Sequence, residues 1–184
     1  MALEIERRFL VRGEGWQSQV DWQAELRQGY LLSREDGLTM RLRLQRQQNG
    51  AKQAWLTIKA MAESEVPSHA RLEFEYAIPV EDAEALLKLA PDQINKKRYG
   101  LHLPGGDWVL DVFSGRNAPL VIAEVEVQNP EDSPPIPCWC IKEVTGMHQL
   151  SNAALAHTPF QNWPAEQRNA LWQVDTIANE DRTK

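Results

Sequence analysis

Charge recurs at every second residue along several stretches of this chain. Glu4, Glu6 and Arg8 alternate with Leu3, Ile5 and Phe9, and Arg41 and Arg43 with Met40, Leu42 and Leu44. Arg71, Glu73 and Glu75 are interleaved with Leu72, Phe74, Tyr76 and Ile78, and Glu124 and Glu126 with Ala123, Val125 and Val127. Side chains at i and i+2 leave a strand on the same face. These segments therefore make strands with one apolar and one charged face, and they cannot bury a helical stripe. The same parity pairs Lys59 with Thr57, Lys96 with Arg98, and isolates Asp111 against its apolar neighbours.

Eight strands are expected, at about 3–11, 28–33, 38–46, 53–60, 70–78, 95–102, 107–113 and 120–128. Asp36-Gly37, Asn49-Gly50 and Gly105-Gly106 supply turns where antiparallel connections need them. A helix is expected at about 80–90, where Val80, Ala83, Leu86, Leu87 and Ala90 form an apolar stripe. A shorter helix is expected within 15–27. Prolines 130, 134, 135 and 137 mark a loop, followed by helix at about 151–157 and from 164 to near 179, with Leu171, Val174 and Ile177 as its apolar face. The expected class is mainly β (α+β), a closed eight-stranded antiparallel barrel with helices packed outside. A main domain over 1–158 and a helical tail over 159–184, docked on the barrel, complete the organisation.

With 26 acidic against 20 basic residues the formal charge is −6, which disfavours a nucleic-acid binder. No apolar run approaches the roughly 18–20 residues that span a bilayer. The start, Met-Ala-Leu-Glu-Ile-Glu-Arg-Arg, lacks the layout of a signal peptide. Cys138 and Cys140 are too few for a disulfide framework. The expectation is a cytoplasmic protein with no nucleic-acid or membrane partner, and either monomer or homodimer is left open.

One face, followed through all the strands, collects seven carboxylates (4, 6, 73, 75, 111, 124 and 126) and seven cations (8, 41, 43, 59, 71, 96 and 98). An ordinary solvent face is the competing explanation for any single strand. Three features count against it when the strands are taken together. Charge occupies nearly every position, where a solvent face mixes in Ser, Thr, Gln and Asn. Glu-x-Glu occurs in three strands, placing like charges about 6.5–7 Å apart, unfavourable without interposed cations. Finally, the cations are mostly Arg, suited to bidentate grip on oxyanions. Clustered carboxylates with clustered guanidinium groups fit a polyphosphate that travels with a divalent metal ion.

Glu4-x-Glu6-x-Arg8 at the N-terminus resembles the Glu-x-Glu-x-Lys signature of the CYTH superfamily, the triphosphate tunnel metalloenzymes. The likeness continues in order through Arg27-Gln28-Gly29-Tyr30-Leu31, Arg41-x-Arg43, Leu56-Thr57-Ile58-Lys59, Glu73-x-Glu75, Lys96-Lys97-Arg98-Tyr99, Leu110-Asp111-Val112-Phe113 and Glu124-Val125-Glu126. It spans roughly residues 1–155. The resemblance implies an eight-stranded tunnel whose lumen is the charged face. It is strongest to the short bacterial members, which hydrolyse inorganic tripolyphosphate. Two departures stand out: Arg8 replaces the signature Lys, and Gln149-Leu150-Ser151-Asn152 stands where many relatives carry an Arg-Tyr-x-Asn-like stretch, so one phosphate-binding cation is missing.

On that footing Arg8, Arg41, Arg43, Lys59 and Arg98 are candidates for cradling phosphates, and Glu4, Glu6, Glu124 and Glu126 for holding Mg²⁺ or Mn²⁺. Glu73, Glu75 and Asp111 would complete the metal shell through water or pair with nearby cations. The resemblance also implies a Tyr–Lys pair, Tyr30 and Lys96, in which the ammonium favours the phenolate that orients or deprotonates the attacking water. The competing view of Tyr30 is a buried structural aromatic. The expected activity is metal-dependent hydrolysis of a small-molecule triphosphate, tripolyphosphate to pyrophosphate and phosphate. Class IV adenylate cyclase and thiamine triphosphatase are alternatives within the fold, and a polyphosphate-binding module is the non-enzymatic one. No Gly-x-x-x-x-Gly-Lys loop is present, and the histidines at 69, 102, 148 and 157 show no ligand spacing.

Overall fold

The computed structural model describes residues 2–61, 71–129 and 131–173, with side chains from residue 5 onward and excepting that of residue 71. Within them lie ten strands: β1 (Ala2–Glu4), β2 (Glu6–Val11), β3 (Val20–Ser33), β4 (Thr39–Gln47), β5 (Lys52–Met61), β6 (Arg71–Ile78), β7 (Asp92–Leu101), β8 (Asp107–Phe113), β9 (Val121–Glu126) and β10 (Cys140–Glu143). The helices are α1 (Val80–Leu87), α2 (Asn152–His157) and α3 (Ala165–Leu171).

All ten strands join one antiparallel sheet in the order β1-β6-β5-β4-β3-β7-β8-β9-β2-β10. The N-terminal segment closes it. β1 pairs with β6, whereas β2, one residue further on, pairs with β9 at the opposite end of the order. The break at Ile5 thus divides the single strand expected at 3–11 and joins the two edges into a tunnel. Closure removes the open edges that would otherwise invite pairing between molecules.

Residues 15–27 are not helical. A 3₁₀ turn at Gln17–Gln19 leads into the 14-residue β3. Ala24, Leu26, Gln28 and Tyr30 are buried there while Glu25 and Arg27 are exposed. The period of two runs further toward the N-terminus than the apolar residues alone indicate, because β3 is paired on both sides, with β4 and β7. β10, which no alternation announces, adds to β2 after the proline-rich loop.

The connection from β6 back to β7 carries α1 across the outer face of β4 and β5, burying Leu42, Ala54, Ala83 and Leu87. The Gln93 side-chain amide ends this helix by donating to the carbonyls of Leu87 and Ala90. It stops at Leu87, although Ala90 stays buried. At Gly29 a Cβ would come within 2.7 Å of Leu87 Cδ2 and 2.8 Å of Ala90 Cβ, so the helix end requires glycine there.

Two apolar clusters hold the tunnel. Outside it, Phe9, Trp108, Leu110, Val125 and Trp139 pack beneath the loops that flank β10. At one end of the lumen, Leu10, Tyr30, Ile94, Phe113 and Ile122 share the inner face with the charged residues. They meet Leu155, Phe160, Trp163 and Leu171 from the C-terminal helices. α2, α3 and the segment between them therefore plug that end. Ser151 caps α2, its Oγ accepting from the Ala154 N–H. The expected tail helix appears as α3; Val174 and Ile177 lie outside the described residues. None of the described helices is long and apolar enough to cross a membrane.

Candidate active site

A cavity of about 140 Å³ opens inside the tunnel next to this plug. β3 forms its floor, presenting Gln28 and Tyr30. One wall comes from β2, β7 and β9 with β8 behind them, and the other from β4, β5 and β6. Ser151, Asn152 and Ala153 at the start of α2 close it from the plugged end.

The first wall is a buried network. Asp111, with no exposed side-chain area, accepts two hydrogen bonds from Arg98, at 2.8 and 2.7 Å, and one from the Lys96 ammonium. Arg98 Nη2 also reaches Glu124 Oε2 at 2.8 Å, and Arg8 Nε holds Glu124 Oε1 at 3.1 Å. Arg8 in turn donates to the Leu150 carbonyl at 3.0 Å and lies 3.8 Å from Glu6. Lys96 adds a bond to Asn152 Oδ1 at 3.1 Å and stands over the Phe113 ring. Burial alone would raise the Asp111 carboxyl, but Arg98 and Lys96 outweigh it and hold the group well below the usual carboxylate range. Glu124 is lowered in the same way, chiefly by Arg98. Burial pushes the Lys96 ammonium down to about 8 despite Asp111.

The second wall is a ladder of pairs nearer to solvent. Lys59 Nζ meets Glu73 Oε2 at 2.9 Å, and Arg43 Nη2 meets Glu75 Oε1 at 2.7 Å. Arg41 sits between them, 3.6 Å from Glu73 and 3.7 Å from Glu75. Its Nη2 donates to Thr57 Oγ1, and that hydroxyl donates to Glu75 Oε2 at 3.0 Å. Arg43 also lies over the Trp55 ring. Burial and the neighbouring Arg41 lower the Arg43 guanidinium. The Nε atoms of Arg41 and Arg43 are buried without a hydrogen-bond partner, and so is Oε1 of Gln28. Each such group costs about 1–3 kcal/mol unless something satisfies it.

The structure brings together around this cavity Glu6, Arg8, Tyr30, Arg41, Arg43, Lys59, Glu73, Arg98 and Glu124, all singled out by strand parity or resemblance. Glu75 joins through Arg41 and Arg43. Asp111 and Lys96 stand behind the wall, and Asp111 pairs with Lys96 and Arg98. Tyr30 is opposite Asp92 and Arg41 in register, while Lys96 is opposite Leu26, so the two are not cross-strand neighbours. Glu126 ends β9 opposite Glu6 and is exposed. Glu4 lies in β1 with its backbone opposite Arg71, and its side chain is outside the described residues. Sequence reasoning assigned no part to Gln28 or Thr57. Parity placed Thr57 beside Lys59, and the same rule carried down β3 sets Gln28 beside Tyr30.

Glu6, Glu73 and Glu124 offer the cavity hard oxygen donors, the chemistry that suits Mg²⁺ or a similar cation. Among the described residues, no three carboxylate, imidazole or thiol groups already converge as a closed cage. That donor set fits a cation held by one or two carboxylates together with ligand phosphates, the usual mode for Mg²⁺.

A closed antiparallel tunnel with a lumen of alternating carboxylates and guanidinium groups defines a site for a compact polyanion. The chain belongs to the CYTH domain family, which it matches over residues 2–156. An inorganic triphosphatase of Acetivibrio thermocellus is 33% identical over 165 residues, covering 89% of this chain and 99% of that protein. An inorganic triphosphatase of Nitrosomonas europaea is 34% identical over 159 residues, covering 83% and 96%. The crystal structure of an inorganic triphosphatase superposes with a TM-score of 0.59 at 33% identity, covering 85% of this chain and 95% of that one.

Proposed function

We propose that this protein hydrolyses inorganic tripolyphosphate to pyrophosphate and phosphate within the tunnel. The observation that carries the reading is the convergence of five cations, Arg8, Arg41, Arg43, Lys59 and Arg98, on one cavity inside the tunnel. Phosphate oxygens are the acceptors that such a cluster of cations suits, and Arg binds them bidentately. Related proteins of similar length, named inorganic triphosphatase, support the substrate.

Phosphoanhydride cleavage spreads charge over non-bridging oxygens, so positioning and electrostatics supply most of the catalysis. Arg41, Arg43 and Lys59 grip the chain of phosphates from one wall, and Arg8 and Arg98 from the other. Family triphosphatases are metal-dependent; Glu6 and Glu124, with Glu4, are the groups we assign to holding Mg²⁺ or Mn²⁺. When bound, the cation neutralises phosphate charge and polarises the phosphorus. Tyr30 lines the cavity opposite Arg41 in register, which supports our assigning its hydroxyl to the attacking water. Lys96 acts at one remove, by holding Asp111 and Asn152 in place.

The test is to incubate purified protein with tripolyphosphate, ATP or thiamine triphosphate, each with Mg²⁺, Mn²⁺ or EDTA, and to identify products. Equimolar pyrophosphate and phosphate from tripolyphosphate, faster than from the other substrates and abolished by EDTA, is expected. Cyclic AMP from ATP, or no hydrolysis of any substrate, would overturn the reading.

A further inference from the structure

Arg41 is held unlike the other cations of the cavity. Lys59 and Arg43 each close on a carboxylate, at 2.9 and 2.7 Å. Arg8 and Arg98 close on Glu124, at 3.1 and 2.8 Å. Arg41 stands 3.6 Å from Glu73 and 3.7 Å from Glu75, outside hydrogen-bond range of both. Among the described residues its guanidinium makes one hydrogen bond, from Nη2 to Thr57 Oγ1 at 3.2 Å.

Thr57 lies within β5, with Arg41 of β4 directly opposite on one side and Glu75 of β6 on the other. It is fully buried and is not among the residues that line the cavity. A hydroxyl has one proton to give. Here it goes to Glu75 Oε2 at 3.0 Å, and Arg43 pins Glu75 Oε1 at 2.7 Å. With that proton committed, the lone pairs of Oγ1 are left for Arg41. The β-branched side chain restricts rotation about Cα–Cβ, which keeps the oxygen between its two partners.

A neutral acceptor does here what a carboxylate could not. It tethers the guanidinium at one nitrogen without taking up its charge, so the charge is left for an anion in the cavity. Without the tether a small movement would close Arg41 on Glu73 or Glu75, and phosphate would have to compete with that ion pair. We infer that Thr57 positions Arg41 for the phosphate chain by keeping it off Glu73 and Glu75. This rests on the hydrolytic reading above. No bond to Thr57 forms or breaks in the reaction; it is a positioning residue that acts through Arg41.

The experiment is a double-mutant cycle in steady-state hydrolysis of tripolyphosphate. It compares wild type, Thr57→Val, Arg41→Ala and the double variant, with Thr57→Ser alongside and thermal unfolding of each. Val keeps the β-branched shape and removes the hydroxyl, whereas Ser keeps the hydroxyl. Thr57→Val should lower kcat/KM by about tenfold, near the lower end of what one hydrogen bond to a charged group is worth. The loss should fall on both KM and kcat, as for a grip that tightens in the transition state. Thr57→Ser, which gives up only the rotational restriction, should recover most of it. In the Arg41→Ala background Thr57→Val should cost less than about twofold, because the residue it acts through is gone. Wild-type kcat/KM in Thr57→Val overturns the inference. So does the same loss repeated in the Arg41→Ala background, which would make Thr57 a support of the fold alone, or a Thr57→Ser enzyme no better than Thr57→Val. Should Thr57→Val not fold, Thr57→Ala takes its place in the cycle under the same criteria. Failure of the hydrolytic reading is distinct, because wild type itself would then release no phosphate in the same assay.

Discussion

Both walls of the cavity alternate cations with carboxylates, yet they hold their charge differently. On the β2–β7–β8–β9 side, Asp111 and Lys96 have no exposed side-chain area, and Arg8, Arg98 and Glu124 complete a network with most oxygens engaged. On the β4–β5–β6 side, Glu73 and Glu75 remain partly exposed, Arg41 stands 3.6–3.7 Å from two carboxylates, and two guanidinium N–H groups lack partners. A ligand approaching the first wall meets charge already neutralised by close partners. One approaching the second meets Arg41 in long pairs and carboxylates that are still partly exposed. The difference teaches that a charged lumen is two devices: a buried frame that fixes shape and holds Arg8 and Arg98 in set positions toward the anion, and a looser face whose Arg41, Arg43 and Lys59 can adjust to it.

The largest expected effect falls on the frame. Asp111→Asn leaves Lys96 and Arg98 as buried charges short of a counter-ion and should destabilise the fold by about 3–5 kcal/mol. Glu75→Gln, on the looser wall, should cost no more than about 1 kcal/mol. Denaturant unfolding of the two variants measures both, and equal losses would erase the distinction.

A smaller effect sharpens it. The Lys96 ammonium is pushed down to about 8 in the fold, against an ordinary 10.5. Between those values the unfolded chain binds a proton that the folded chain has released, so this group's contribution to stability rises with pH across about 8–10.5. Below pH 8 the burden is constant. Thermal unfolding from pH 7 to 10 should show wild type gaining relative to Lys96→Met, and parallel curves would mean Lys96 is not desolvated as described.

Much of this site is legible in the sequence because strand parity is rigid. Arg41 with Arg43, Glu73 with Glu75 and Glu124 with Arg8 fall on one face once the strands are placed, and the ordered motifs say that this face is the inner one. Other parts depend on partners that are far apart in sequence. The break at Ile5 has meaning only because β6 and β9 lie on either side of it. The start of β3 reads as helical within 15–27, since Trp22, Gln23 and Glu25 give little apolar alternation until β4 and β7 cover it. Lys96 and Tyr30 share a face by parity, but the register sets them four residues apart along β7. The orphaned amide of Gln28 emerges only when every neighbouring donor has a position.

The most direct test of the division between the walls is one variant read two ways. Arg41→Ala should lower kcat/KM for tripolyphosphate by about 10²-fold or more, through both KM and kcat, because the guanidinium grips phosphate more strongly as charge develops in the transition state. The unfolding free energy of the same variant should fall by clearly less than that of Asp111→Asn, since its pairs with Glu73 and Glu75 are long and both carboxylates keep closer partners in Lys59 and Arg43. Wild-type turnover by Arg41→Ala, or a loss of stability as large as that of Asp111→Asn, would contradict the account.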